Sequence, residues 1–309
     1  MSIGLVSRLT ARVKRDYFRR KYEHVMRMVG ATRPLERGNV PFMLLSMVQQ
    51  RDVQSYILAV KSFARFANPE RIVIICDPSI NERDRSVFRQ HVPHVELRRA
   101  EEFTHPALPR GGTWERLFAI SEFVSDHYVV QLDADTLTVQ PVPEVLHAIG
   151  NGCGFVLGEK SDTCLLALTE TSRNALPFLG VGSHVQDRSE AAMADLGLPE
   201  DACYVRGCSG FTGFPRSDKM RQTLVDFSGR MADRLGADWK RWGTEQVTSN
   251  YLVANAWNTV VLPFPKYGTP DSATADTAFF HFIGSMRFIN NKYEAMSRRA
   301  IRLIGNAAA

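Results

Sequence analysis

The chain opens with apolar residues at helical spacing, Leu9, Val13, Tyr17, Phe18, Tyr22, Val25, Met26 and Val29, with Arg12, Arg15, Arg19 and Arg20 set among them. The pattern predicts a basic amphipathic helix over residues 5–29. After a turn-like stretch, apolar runs at 41–48 and 71–76 predict buried strands on either side of a helix whose apolar face is Tyr56, Val60, Phe63 and Ala64. Residues 94–98 predict a third strand after a charged helix at 82–90. Thr113 stands where it would cap a helix carrying Trp114, Leu117, Phe118, Ser121 and Val124 on one side, and 127–132 predict the next strand. Strands alternating with helices imply a mostly parallel sheet between helical layers, with ligands at the carboxyl ends of its strands.

Beyond residue 140 the order is mixed. Runs at 153–159 and 203–214 predict strands, and the polar, Gly- and Pro-punctuated stretch 160–200 between them predicts no defined element. Helices are expected at 217–235 and 245–254, then a short strand at 258–264. The last helix, 290–304, has Tyr293, Met296, Ala300 and Ile304 on one face and Arg298, Arg299 and Arg302 elsewhere. Three segments result: a basic amphipathic helix and linker (1–38), an α/β body (39–288) and a basic C-terminal helix (289–309).

Composition changes this picture little. With 309 residues, 44% hydrophobic and 23% charged, the chain is neither disordered nor a small disulfide scaffold. No apolar run is long enough for a membrane span, and the first residues lack a signal-peptide core, so a cytoplasmic location is expected. Five cysteines without a CxxC pair suggest neither a disulfide framework nor a zinc ribbon.

Charge is more informative. The net +5 resolves into +7 over residues 1–40 and −2 over the rest. The first helix therefore suits either an anionic membrane surface, at the inner face, or packing on the body with a solvated basic face. Nucleic acid is not indicated, because an aromatic stacking platform and a recognised binding module are both missing.

The chemistry concentrates in residues 128–145. A buried strand ending in Asp133-Ala134-Asp135 delivers two carboxylates to the edge where ligands gather. Both can reach one hard divalent cation, or one can bind metal while the other holds a substrate hydroxyl; the pair could also simply cap a turn.

Strand, LDADT, short strand and Pro together resemble the metal site of GT-A glycosyltransferases, in particular glycosyltransferase family 8, the glycogenin and lipopolysaccharide galactosyltransferase group of retaining enzymes. That family carries a C-terminal His, Gly at +3 and Lys at +6, matched in AFFHFIGSMRF by His281, Gly284 and Arg287. The resemblance implies a GT-A fold with a mixed, mostly parallel sheet flanked by helices. It also implies Mn²⁺ or Mg²⁺ held by Asp133, Asp135 and His281, and a nucleotide diphosphate sugar, UDP-linked, as donor. Arg in place of Lys at 287 keeps the charge while offering a planar fork for phosphate oxygens.

Looser likenesses extend from residue 42 to 288. TWERLFAISEF resembles the family helix that brings an Arg over the donor, implying a contact from Arg116. RGCSGFTGF resembles the segment lining the sugar pocket, implying Ser209 and Gly210 there, with Cys208 departing from the usual Asn. WGTEQVTSNYL resembles the helix facing the reacting sugar and implies catalytic roles for Glu245 and Gln246, with Val247 departing from the pattern. A carboxylate there could act as nucleophile, whereas an amide could only stabilise an oxocarbenium-like transition state. SMVQQRDVQSYILAVKSF resembles the first strand, loop and helix, implying that Gln49, Asp52 and Tyr56 touch base or ribose.

The implied activity is transfer of a hexose from the donor to a hydroxyl acceptor, a glycolipid, lipopolysaccharide or surface polysaccharide. Two rival functions share this architecture. One is a catalytically inactive module that binds nucleotide sugar or membrane. The other is a sugar-phosphate nucleotidyltransferase, which needs a glycine-rich phosphate loop after the first strand, where SMVQQRD has no glycine.

Overall fold

The computed structural model describes residues 2–158 and 160–305. Position 159, at the end of the strand expected over 153–159, lies outside them, as do residue 1 and residues 306–309 of the C-terminal segment. In chain order the first half comprises α1 (Ser2–Met26), β1 (Val40–Val48), α2 (Val53–Ala67), β2 (Pro69–Cys76), α3 (Glu82–His91), β3 (Glu96–Arg99), α4 (Trp114–Phe123), β4 (Val129–Leu132), β5 (Thr136–Thr138), α5 (Pro143–Gly150) and β6 (Phe155–Gly158). The second half comprises β7 (Leu165–Ala167), α6 (Leu168–Ala175), α7 (Val185–Ala192), β8 (Cys203–Val205), β9 (Gly207–Phe214), α8 (Met220–Leu235), α9 (Thr244–Ala254), β10 (Val260–Val261), β11 (Tyr267–Gly268), β12 (Phe279–His281) and α10 (Lys292–Gly305).

Seven strands form the central sheet in the order β10-β6-β9-β4-β1-β2-β3. The pairs among β4, β1, β2 and β3 are parallel, as is β10 on β6, while β9 runs antiparallel to both neighbours. Strand β1 is apolar almost throughout because both its faces are covered. Leu44 and Val48 join the helices α1, α2, α3, α5 and α10 in one core, and Met43 and Leu45 join α4, α8 and α9 in the other. The architecture is three-layered, helix on sheet on helix.

The ends of the chain meet on one face. Tyr22 of α1 stacks on Tyr293 of α10 at 4.1 Å, and Tyr293 stacks on Phe282 at 4.1 Å. The expected amphipathic helix thus divides along its length: Tyr22, Val25 and Met26 are buried, whereas residues 10–15 are exposed.

Local chemistry revises several expectations. The run 203–214 is two strands in different sheets, broken at Arg206, and the run 258–264 retains only two paired residues before Pro263. Residues 160–200, without an expected element, contain β7, α6 and α7. Thr113 does sit at the N-terminus of α4, but in the left-handed region (φ 76°) and without a capping bond from its side chain. Its hydroxyl instead donates to Glu245 Oε2 at 2.9 Å.

Candidate active site

Strand β4 ends at Leu132, and the chain turns at once. The Asp133 N–H donates to Gly210 O of β9 (2.8 Å), and the Thr136 hydroxyl donates to Asp133 O (2.8 Å), closing a tight bend before β5. Antiparallel pairing of β5 with β12 sets Thr136 opposite His281, and the Phe282 N–H donates to Asp135 O at 2.8 Å. That register carries the imidazole back to the two acids, 146 and 148 positions earlier in the sequence. His281 Nε2 lies 3.3 Å from Asp135 Oδ1 and 3.9 Å from Asp133 Oδ2. One ligand atom from each of the three residues lies within 4.8 Å of the others.

The imidazole is held from behind by β9. Pairing of β9 with β6 jumps from Thr212 to Cys208, so Ser209, Gly210 and Phe211 have no partner on β6. Cys208 Sγ meets His281 Nδ1 at 3.1 Å, and a Cβ on Gly210 would come within 2.3 Å of the ring. Only glycine admits the ring here. Burial pushes the imidazole toward its neutral form, but Cys208 and Asp135 on its two sides outweigh this and raise its proton affinity. A cation at Nε2 would compete with that proton.

Two arginines brace the carboxylates. Arg116, 3% exposed, donates to Asp133 and, at 3.1 Å, to Glu245 Oε1. Arg287 meets Asp135 Oδ2 through Nη2 at 2.6 Å and donates through Nη1 to Asp52 Oδ1 at 3.0 Å. Burial pushes the Asp135 carboxyl up, yet His281 and Arg287 pull it down to about 2. Glu245 shows the opposite balance: burial dominates over Arg116 and raises it.

Most of the expected site residues fall into three groups. Asp52, Arg116, Asp133, Asp135, Glu245, His281 and Arg287 form one connected cluster, in which Asp52 bonds Arg287 and makes no helix cap. Gln246 is half-buried and lies beside them, its Oε1 accepting from Ser209 Oγ at 3.4 Å. Gln49 lines a cleft of about 610 Å³ with Asp77, Arg110 and Trp242, and Gly284 is exposed beside Arg287 along another of about 450 Å³.

Tyr56 does not join them. It is completely buried, edge-on to Phe88 at 6.0 Å, and offers no surface to a ligand. Its place on the apolar face of α2, with Val60 and Phe63, already marks it as core. The resemblance put Arg116 over the donor and Gly210 in the sugar pocket; here Arg116 is sealed behind Asp133, and Gly210 makes room for His281. Arg110 and Trp242, with Thr113 that the sequence marks only as a cap, line the cleft of Gln49; the glycine pair 111–112, both at positive φ, was the signal in the sequence for a loop before α4.

No protein-family model and no curated protein matches the chain. Among solved structures it is similar to the galactosyltransferase LgtC in complex with donor and acceptor sugar analogues, with a TM-score of 0.52 and 11% identity over 84% of this chain and 95% of that one. An active-site glutamine-to-glutamate variant of LgtC gives TM-score 0.52 and 12% identity, over the same shares of the two chains. The apo bifunctional glycosyltransferase WbbM gives 0.51 and 14%, over 87% of this chain and 50% of that one, so the chain spans half of WbbM. This is the GT-A glycosyltransferase fold.

The residues at the GT-A strand end fit a divalent cation. Two carboxylates and an imidazole face one point from two segments, the turn after β4 and the end of β12, with Nδ1 of the histidine engaged on the far side and the glycine beneath it leaving room for the ring. A mixed N/O donor set suits a first-row ion such as Mn²⁺, and Mg²⁺ less well.

Proposed function

We propose that the protein is a metal-assisted glycosyltransferase that moves a hexose, with retention, from a UDP-linked or other nucleotide diphosphate sugar to a hydroxyl acceptor. The observation that carries this reading is the convergence of Asp133, Asp135 and His281 at the carboxyl end of β4, on a GT-A fold. The cation would neutralise charge on the departing diphosphate.

The chain's own groups supply the rest. Arg287, fixed between Asp52 and Asp135, offers a guanidinium to phosphate oxygens. The cleft between Gln49 and Trp242 is roomy enough for a nucleoside, with Asp77 as acceptor for ribose hydroxyls and the indole as a face for the base. Gln246, unlike Glu245, keeps part of its surface open; an amide cannot form a glycosyl ester, so its role is electrostatic support of the oxocarbenium-like sugar. Glu245 is committed to Arg116 and Thr113 and acts as a positioning residue for Asp133. The active-site glutamine of LgtC supports assigning the open position to Gln246.

Association with an anionic membrane surface belongs to the same reading. Exposed Val13 and Tyr17 share one face of α1, among exposed Arg12, Arg15, Arg19 and Arg20, of which Arg15 and Arg19 border the cleft of Arg287. Among the described residues no helix is long and apolar enough to cross a membrane. Such contact would bring the site to a lipid-linked glycan.

The test is donor turnover by purified protein, with and without Mn²⁺, across UDP-, GDP- and ADP-sugars, read alongside quenching of tryptophan emission by the nucleotide. Metal-dependent binding and hydrolysis of one donor class is the expected result. Nucleotide binding that is absent for all three, or that ignores both metal and Asp133→Asn, overturns the proposal.

A further inference from the structure

A cleft of about 740 Å³, formed by α6, α7 and β8, lies outside the cluster just described. Thr171 lines it, is 5% exposed, and its hydroxyl has no hydrogen-bond partner among the described residues. A buried hydroxyl left unpaired by the protein is a group waiting for a ligand hydroxyl or a water. Next to it stand Glu190, Tyr204 and Arg206, a polar set with an aromatic ring of the kind that holds sugar hydroxyls.

The cleft is tied to the reacting centre. Gln246 Nε2 donates to Gln186 Oε1 at 3.4 Å, and Gln186 Nε2 donates to Glu190 Oε1 at 2.9 Å. Along the backbone, Arg206 precedes Ser209 by three positions, which limits their Cα separation to roughly 11 Å. A short glycan seated in the cleft can therefore present a hydroxyl beside Gln246.

Charge narrows what that glycan is. Four carboxylates line the cleft, Asp162, Glu170, Asp187 and Glu190, against Lys160 and Arg206, and Arg206 is already paired with Asp187 (3.0 Å) and Glu190 (2.8 Å). Phosphate or carboxylate on an acceptor would meet net negative charge. At the rim, Phe178 is 66% exposed and offers an apolar face for the hydrophobic side of a ring or for an aglycone.

We infer that this cleft is the acceptor site and that the acceptor is an uncharged glycoside, with Thr171 and Glu190 binding its hydroxyls and Phe178 meeting its apolar face. The inference rests on the glycosyltransferase reading for the word acceptor, although the cleft's preference for neutral glycosides stands without it.

Cys164, exposed and lining the cleft, reports on occupancy. The experiment follows iodoacetamide alkylation of the full chain by peptide mass spectrometry, with Cys153 and Cys203 as internal references. The probes are the octyl β-glycosides of galactose, glucose and N-acetylglucosamine and their 6-phosphates. Slowing at Cys164 alone by at least one neutral glycoside, roughly fivefold or more, is expected, with no effect of the phosphates. Thr171→Val should then need about ten times more glycoside for the same protection, at unchanged melting temperature. Phosphates that protect as well as the neutral glycosides, or no protection by any neutral probe, overturn the inference. Nucleotide quenching of tryptophan emission, measured on the same samples, separates the two readings. Quenching without Cys164 protection removes the cleft assignment alone, and protection without quenching removes the transferase reading alone.

Discussion

Gly210 lies so close to His281 that a Cβ built on it would stand 2.3 Å from Cε1, 2.7 Å from Nε2 and 2.9 Å from Nδ1 of the ring. Gly210→Ala must therefore move the imidazole or the strand beneath it. Overpacking of this kind costs about 1–3 kcal/mol, and displacement of one ligand should weaken Mn²⁺ binding by roughly tenfold or more. Titration of Mn²⁺ followed by electron paramagnetic resonance checks it; wild-type affinity in the alanine variant would show that His281 does not meet the ion.

Arg116 and Glu245 are both nearly fully buried, so each neutralises a charge the other could not carry alone. Arg116→Met should destabilise by about 3 kcal/mol, and Arg116→Met with Glu245→Leu should recover much of that loss. Urea denaturation of the two single variants and the double variant gives the coupling. Additive losses would mean that the pair is not the unit described.

Lys61, 3% exposed, donates to Arg33 O at 2.6 Å and Thr32 Oγ1 at 2.8 Å, and faces the His91 ring at 3.0 Å. Burial pushes its amine down to about 8 from an ordinary 10.5. Between those two values the unfolded chain holds a proton the folded chain lacks, so stability contributed at this position rises with pH across that window. Relative to Lys61→Met, wild type should gain about 1–3 kcal/mol from pH 8 to 10.5. Denaturation midpoints of both proteins measured across the window decide it; a constant difference would place the amine at its ordinary value.

The basic stripe of α1 can be tested without removing the helix, whose Tyr22, Val25 and Met26 are core. Replacing Arg12, Arg15, Arg19 and Arg20 by Ser should lower affinity for phosphatidylglycerol vesicles by roughly a thousandfold, at about 1 kcal/mol for each of the four surface charges. Co-sedimentation at physiological salt measures it, and unchanged binding would assign the stripe to solvent.

Much of this fold is legible in the sequence because buried parallel strands are nearly continuous apolar runs: residues 41–48, 71–76 and 127–132 announce themselves. The convergence of Asp133, Asp135 and His281 is legible for another reason, since a short motif carries the ligand types that one ion would need. What was illegible depends on tertiary context. Arg206 splits an apparent single strand by pairing sideways with Asp187 and Glu190, which no periodicity foretells. The eight-residue helices α6 and α7 are too short and polar to stand out from loops. Thr113 reads as a cap until Glu245, 132 positions away, claims its hydroxyl.

The column of rings from Tyr22 through Tyr293 to Phe282 ends one residue from His281. Aromatic faces packed at such spacing do not slide past one another freely, so a pull on the first helix is delivered to the far end of the chain's fold, beside the imidazole. Bulky fusions or surface tethers at the amino end would thus load the packing next to His281, and a short flexible spacer ahead of the helix relieves it.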